Sequence, residues 1–420
     1  MKFSRLGSRL AGPTGIKELM DDLGHALADS GPSCHMLGGG NPAHIPAMEK
    51  IWHQRLAEIS ADPSPERRLL GTYDPPRGNP RCLEALAALL RDECGWPVGP
   101  ENLAVTPGGQ TAFFLLFNLL AGARADGTTG KILFPLMPEY IGYADQALSD
   151  DMFASCRPLI TSTGPRTFKY HIDFDRLPLG PDLAAMCVSR PTNPSGNVID
   201  DAEVAKLASL AATRDIPLII DNAYGQPFPG IVFRDAIPPW TDHTIHVLSL
   251  SKLGLPGART AFVVAPPAIA EAISSMVAVS GLSNGNLGQS IVTPLFASGE
   301  IARLSREVIQ PFYRRKRDQA LEAVHQHFPD DVPWSLHESE GALFLWLRLA
   351  SAPQTSRHLY DNLKKRGVIV VPGECFFFGP ECADWDHRHE CLRISYAMDD
   401  EHVRPGLQII GEEIAALFGA

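Results

Sequence analysis

The chain has 420 residues, 45% hydrophobic and 20% charged, enough to bury a sizeable core in two or three structural units. A formal net charge of −11 argues against nucleic acid as a partner and leaves any anionic ligand to be met by local arginines. No apolar stretch approaches the ~18 residues that span a bilayer. The start lacks the apolar core of a signal peptide and the eight cysteines show no paired spacing, so a reduced, cytoplasmic setting is expected.

In chain order, residues 1–45 are expected to form an N-terminal arm that packs with the C-terminal unit. The arm holds a helix around Ile16–Ala28 and then the loop Leu37-Gly-Gly-Gly-Asn-Pro42. From 46 to 300, short apolar runs alternate with helical patterns. Strands are predicted at Asn102–Thr106, Lys131–Phe134, Ala184–Ser189, Leu218–Ile220, Thr244–Leu248 and Ala261–Val264. Helices are predicted at Arg81–Arg91, Gln110–Leu120, Ala202–Thr213 and Ala268–Val279. Such alternation predicts a large α/β unit with a mostly parallel sheet flanked by helices. Residues 301–420 read as a smaller α+β unit. It has a long helix at Ile301–Phe328 broken near Pro311, apolar runs at Ala342–Leu349 and Val368–Val371, and a last helix at Glu401–Leu417.

The groups that can carry chemistry fall where these strands end, which is where open parallel sheets bind ligands. Gly108-Gly109-Gln110 opens a helix and can offer backbone N–H groups to a phosphate. Tyr140, in Pro138-Glu-Tyr-Ile-Gly-Tyr143, can stack on a flat ring. Asn193, in Arg190-Pro-Thr-Asn-Pro-Ser-Gly196, can donate to a ring oxygen. Asp221, in Asp221-Asn-Ala-Tyr224, places a carboxylate at the end of an apolar run, where it needs a positive partner. Ser249-Leu-Ser-Lys252 with Arg259 puts an amine, two hydroxyls and a guanidinium at another strand end, as a Schiff-base lysine beside a phosphate would require. Arg393, inside the apolar run Leu392-Arg-Ile-Ser-Tyr396, calls for a buried anion such as a substrate carboxylate. Each motif also has a plain structural reading: a glycine turn, a core tyrosine, a tight turn, a helix cap, a surface lysine or an internal ion pair.

Taken in order, the six motifs resemble those of the fold-type I pyridoxal-phosphate (PLP) aminotransferases, the aspartate aminotransferase-like superfamily, over nearly the whole chain. The resemblance is closer still to aminotransferases that exchange valine or alanine with pyruvate. It is carried there by residues 36–43, 134–145, 189–194, 221–230 and 249–257. It implies PLP as cofactor, small amino acids and 2-oxo acids as substrates, and a homodimer with shared active sites. It implies Lys252 as the Schiff-base lysine and proton shuttle, with a lowered pKa. Asp221 is then the partner of the ring nitrogen, Asn193 and Tyr224 the donors to the ring oxygen, and Tyr140 the stacking ring. Gly109, Gln110, Ser249 and Arg259 form the phosphate cup, which Tyr73 reaches from the neighbouring subunit. Arg393, Asn193 and Gly39 meet the substrate carboxylate, and Ile16, Leu37 and Leu343 border the substrate.

The chain departs from the superfamily in the spacing of seven from Lys252 to Arg259, where eight is common, and in Ser189-Arg-Pro-Thr192, where asparagines are frequent. No role follows for Arg190, and no second substrate arginine is identifiable. Cys375, Cys382, His387, His389 and Cys391 crowd together, but their spacing matches no zinc motif, and no metal is expected. An aromatic aminotransferase or a β-carbon–sulfur lyase of the same fold stays open as an alternative. A regulator with an aminotransferase-like unit would need a DNA-binding segment ahead of it, for which the arm is too short.

Overall fold

Two sheets and the helices around them organise the chain. The computed structural model describes residues 2–12, 14–29, 34–61 and 69–419. The strands are β1 (His35–Met36), β2 (Leu103–Thr106), β3 (Gly122–Ala123), β4 (Thr129–Phe134), β5 (Phe153–Ser155), β6 (Leu159–Gly164), β7 (Thr167–His171) and β8 (Leu183–Ser189). They continue with β9 (Leu218–Asp221), β10 (Thr244–Ser249), β11 (Ala261–Val264), β12 (Trp334–His337), β13 (Phe344–Leu349), β14 (Val368–Ile369), β15 (Val371–Pro372) and β16 (Cys391–Ser395).

The larger sheet runs β2-β11-β10-β9-β8-β4-β3, with β5 also on β4. Its centre, β10-β9-β8-β4-β5, is parallel, and β11 runs against both its neighbours. Strands β8, β10 and β11 are buried along their whole length, as continuous apolar runs covered on both faces must be. Helices Gly109–Leu120, Asp201–Thr213 and Pro267–Gly281 supply buried faces that cover it. The expected α/β class with a mostly parallel sheet is what forms.

The second sheet runs β15-β16-β13-β12-β7-β6 and is mostly antiparallel. Its last two strands come from inside the span 46–300: the hairpin β6–β7 crosses over and pairs with β12. At the other end of the chain order, β1 of the arm pairs in parallel with β14.

The expected break near Pro311 takes a definite form. Helix Glu300–Leu304 passes through a wide π-helical turn, Ser305–Ile309, into helix Gln310–His327. Proline has no N–H to give and its ring crowds the preceding turn, so the backbone widens just before it. Four further helices, Arg5–Leu10, Pro46–Ala61, Asn286–Ala297 and Ser356–Lys365, were not in the sequence prediction.

Candidate active site

The carboxyl ends of β8, β9 and β10 bring three side chains to one edge. Ser189 and Asp221 are register partners, and Asp221 pairs in turn with Val247 two residues before the end of β10. Lys252 follows β10 in a short turn. Its Nζ donates to the Gly40 carbonyl at 2.5 Å and lies 5.3 Å from the centre of the Tyr224 ring. The loop of the arm and the end of β10 therefore face each other across the site.

Asp221 accepts a hydrogen bond from the Tyr143 hydroxyl and one from the Ala223 N–H at 2.9 Å. Lys252 and Asp221 are half-buried, and desolvation still governs both. Burial pulls Lys252 down to about 8. The Arg393 charge adds to this and Asp221 opposes it. Burial pushes Asp221 up, against the Tyr143 and Ala223 donors and the Lys252 charge.

Arg393 sits in the middle of β16 and is 2% exposed. Its Nη1 donates to Asn193 Oδ1 and its Nη2 to the Gly38 carbonyl, both at 2.7 Å. The guanidinium lies 4.2 Å from the Phe344 ring centre and 5.0 Å from that of Phe376. Its Nε has no partner, and among the described residues no carboxylate forms an ion pair with it. Burial pulls its pKa down to about 10. A buried guanidinium without a counter-ion is costly, so the internal ion-pair reading fails and a site for an added anion remains.

A second group of hydrogen-bond donors lies at the end of β2. Gly108 has φ +93°, and a Cβ placed there would come within 2.3 Å of Arg259 Nη2, so only glycine lets the guanidinium lie over this turn. Gly109 starts the helix whose first N–H groups lack intrahelical partners. Gln110 Nε2 donates to the Gly142 carbonyl at 2.9 Å, while its buried Oε1 is unpartnered. Ser249 Oγ accepts from the Ser251 N–H at 3.2 Å. The seven-residue spacing from Lys252 thus still leaves Arg259 beside the Gly108 turn.

Tyr140 meets Tyr143 edge to face at 5.3 Å, and Tyr224 meets Phe344 in the same way at 6.1 Å. Of the residues predicted to border the substrate, Ile16 is half-buried against the core of the larger sheet. Leu37 and Leu343 are fully buried. A Cβ at Gly406 would lie 2.6 Å from Leu37 Cδ1, which places that side chain on the last helix; its carbonyl accepts from Ser395 N–H at 2.7 Å. At Gly39 an added Cβ would have nothing nearer than Met36 Cγ at 4.0 Å. Tyr73 lies at the surface, 76% exposed.

Arg190, unassigned from the sequence, is a structural clamp. It donates to the carbonyls of Ile199 at 2.7 Å and Ile237 at 2.9 Å and pairs with Asp201, tying the loop after β9 to a helix start. In the Cys/His segment, His387 Nε2 and Cys391 Sγ meet at 3.5 Å, and the others have separate partners. His387 Nε2 lies 2.6 Å from the Tyr170 hydroxyl, His389 Nδ1 lies 2.9 Å from Glu374, and Cys382 receives the Ser155 hydroxyl at 3.8 Å.

Sequence reasoning missed Tyr143 and Glu139. Both stand in the quoted Pro138–Tyr143 stretch, but only Tyr140 was given a role. The available signal was two polar groups in a run otherwise fit for a core.

Residues 154–410 match the family described as aminotransferase class I and II. The chain is 44% identical over 414 residues to valine–pyruvate aminotransferase of Escherichia coli K12, covering 99% of this chain and 98% of that protein. A crystal structure of valine–pyruvate aminotransferase from Salmonella typhimurium LT2 superposes with a TM-score of 0.87 at 43% identity, over 96% of this chain and all of that one. That of a candidate amino-acid aminotransferase from Psychrobacter arcticum 273-4 gives 0.96 at 41% identity, over 100% and 99%.

Proposed function

The chain belongs to the class I and II aminotransferases, and from that premise we propose that it moves an amino group between valine or alanine and a 2-oxo acid, with pyruvate and 2-oxoisovalerate as the oxo partners. It is a pyridoxal 5′-phosphate enzyme of fold type I. The single observation that carries the chemistry is a buried guanidinium without a counter-ion, Arg393, held by the same Gly38–Gly40 loop as an amine of depressed pKa, Lys252.

The residues present fit the cofactor. The Gly108–Arg259 cradle and the start of helix Gly109–Leu120 suit a phosphate. Asp221 suits a protonated ring nitrogen. When bound, the cofactor supplies an aldehyde to take the amino group and a ring to withdraw electrons from the substrate α-carbon.

We assign the chain's own groups as follows. Arg393, with Asn193 and the Gly39 backbone, holds the substrate carboxylate. Lys252, neutral in part near pH 8, is the covalent anchor and then the base that moves the α-proton. Asp221 keeps a proton on the ring nitrogen, and Tyr143 keeps Asp221 aimed and ionised. Asn193 and Tyr224 bond the ring oxygen, and Tyr140 packs on the ring. Gly109, Gln110, Ser249 and Arg259 hold the phosphate, and Tyr73 of a second subunit joins them. Ile16, Leu37 and Leu343 border the substrate, Leu37 through its backbone.

We also assign residues 1–45 as an arm, 46–300 as the PLP-binding unit and 301–420 as the small unit, with β6–β7 as a contribution of the larger span to the smaller sheet. A homodimer is supported by apolar side chains exposed around Tyr73. A reduced cytoplasmic setting is supported by eight cysteines that are all unpaired. Among the described residues no helix is long and apolar enough to cross a membrane.

The test is a panel of amino donors with pyruvate, following alanine. Valine is expected to be a good donor. Aspartate and glutamate are expected to be poor, since a second carboxylate would be buried unpaired. A preference for aspartate over valine would overturn the substrate assignment and leave the cofactor chemistry standing.

A further inference from the structure

One carboxyl group in the site has no part in the reaction as assigned, yet it bonds to the ends of two of the segments that frame the site. Glu139 is 1% exposed. Its Oε1 accepts from the Ser189 N–H at 2.7 Å, and its Oε2 meets the Ser189 hydroxyl at 2.5 Å and the Tyr140 N–H at 3.3 Å. Its own N–H donates to the Phe376 carbonyl at 3.0 Å.

These contacts close a gap in the sheet. The register between β4 and β8 runs to Leu133 and Met186 and then stops as the chain leaves β4. Ser189 at the end of β8 pairs with Asp221 on one side and has no strand on the other. Glu139 returns from the loop after β4 and supplies the missing acceptor. A carboxyl with two oxygens can serve an N–H and a hydroxyl at once, which a shorter or apolar side chain cannot. Burial pushes its pKa up to about 8, so at neutral pH it holds a proton that Ser189 Oγ can share. In that state its shape and bonding are close to those of a glutamine.

Resting on the function proposed above, we propose that Glu139 is a positioning residue: its carboxyl fixes Tyr140 and the β8-end loop that carries Asn193 in one mutual register around the cofactor, beside the Phe376 segment that its backbone N–H holds. Its work is geometric. It neither moves a proton to substrate nor carries a charge that the reaction uses.

The experiment compares Glu139→Gln and Glu139→Ala as purified proteins titrated with PLP. It reads the affinity for PLP, the visible circular dichroism of the bound cofactor, and kcat and KM for valine. Glu139→Gln is expected to stay within about threefold of wild type and to keep the visible dichroism, because both bonds to Ser189 can be remade with its hydroxyl turned round and only the 3.3 Å bond from the Tyr140 N–H is lost. Glu139→Ala leaves the Ser189 N–H unpaired and is expected to weaken PLP binding by about tenfold or more. It should also flatten the visible dichroism and lower kcat more than it changes KM. If Glu139→Ala does not fold, Ser189→Ala removes one of the bonds and should show a smaller loss of dichroism in the same direction; no loss overturns the proposal.

Wild-type affinity and dichroism in a folded Glu139→Ala would also overturn it. So would a Glu139→Gln as damaged as Glu139→Ala with a displaced pH–rate profile, since that would make the proton or charge the point. A wild-type protein that binds no PLP would instead sink the function on which the proposal rests.

Discussion

Lys252, proposed as the reacting amine, also carries a stability cost. Its amine is pulled from its ordinary value near 10.5 to about 8, chiefly by burial. Below about pH 8 the folded and unfolded chains both hold the proton, so the full penalty of burying it is present. As pH rises from about 8 toward 10.5 the folded chain sheds the proton first, the unfolded chain holds more protons, and stability rises. Lys252→Met should therefore make the cofactor-free protein more stable than wild type at pH 7, by up to about 3 kcal/mol. That advantage should close between about pH 8 and 10.5. Urea unfolding at several pH values measures it, and an advantage independent of pH would mean that the amine is not depressed. The same residue was legible in the sequence, as were Asp221 and Arg393, because a charge at the end or in the middle of an apolar run is out of place unless something pairs it. Glu139 and Tyr143 were not legible in this way. Their partners lie 50 and 78 residues away, and no local spacing announces such a contact.

At the scale of elements, the strands that were read from the sequence are those buried on both faces, where an unbroken apolar run is its own signal. The hairpin β6–β7 escaped because β6 is exposed along most of its length and reads as polar loop, and because β7 finds its partner β12 about 165 residues later. Membership of the second sheet is thus a tertiary fact that no window of the chain contains. The turn after β2 was legible in kind, as glycines before a helix, but not in its reason. Gly108 is there because Arg259 occupies the space a side chain would need, at a φ that side chains avoid. Gly108→Ala should add strain of about 1–3 kcal/mol and push Arg259 off the turn. The expected result is a folded protein with PLP affinity lowered by about tenfold or more, the scale of that strain. Titration of the cofactor-free protein with PLP checks it. Unchanged affinity would remove Arg259 and this turn from the phosphate site.

At the scale of the whole molecule, the proposed dimer draws on a set of exposed apolar side chains. Leu70 and Val279 are more than nine-tenths exposed, with Tyr73, Leu282 and Leu287 near them in sequence. The two segments are joined where Asn286 Nδ2 donates to the Thr72 carbonyl at 3.0 Å. Large apolar side chains at such exposure on joined segments suit the contact surface proposed above. In a two-fold dimer the patch would meet its own copy, and Tyr73 would then be carried toward the partner's site rather than its own. Mixing two damaged variants tests this. In a hybrid of Tyr73→Phe with Lys252→Ala, shared sites would gather both lesions in one site and leave the other with an intact lysine and an intact tyrosine. Activity at limiting PLP should therefore rise on mixing above that of either variant alone. If each subunit instead used its own Tyr73, every site of the hybrid would carry one lesion and mixing would restore nothing. Failure to recover activity, with hybrid dimers shown to form, would place Tyr73 outside the partner's phosphate cup and leave the apolar patch as a contact surface only.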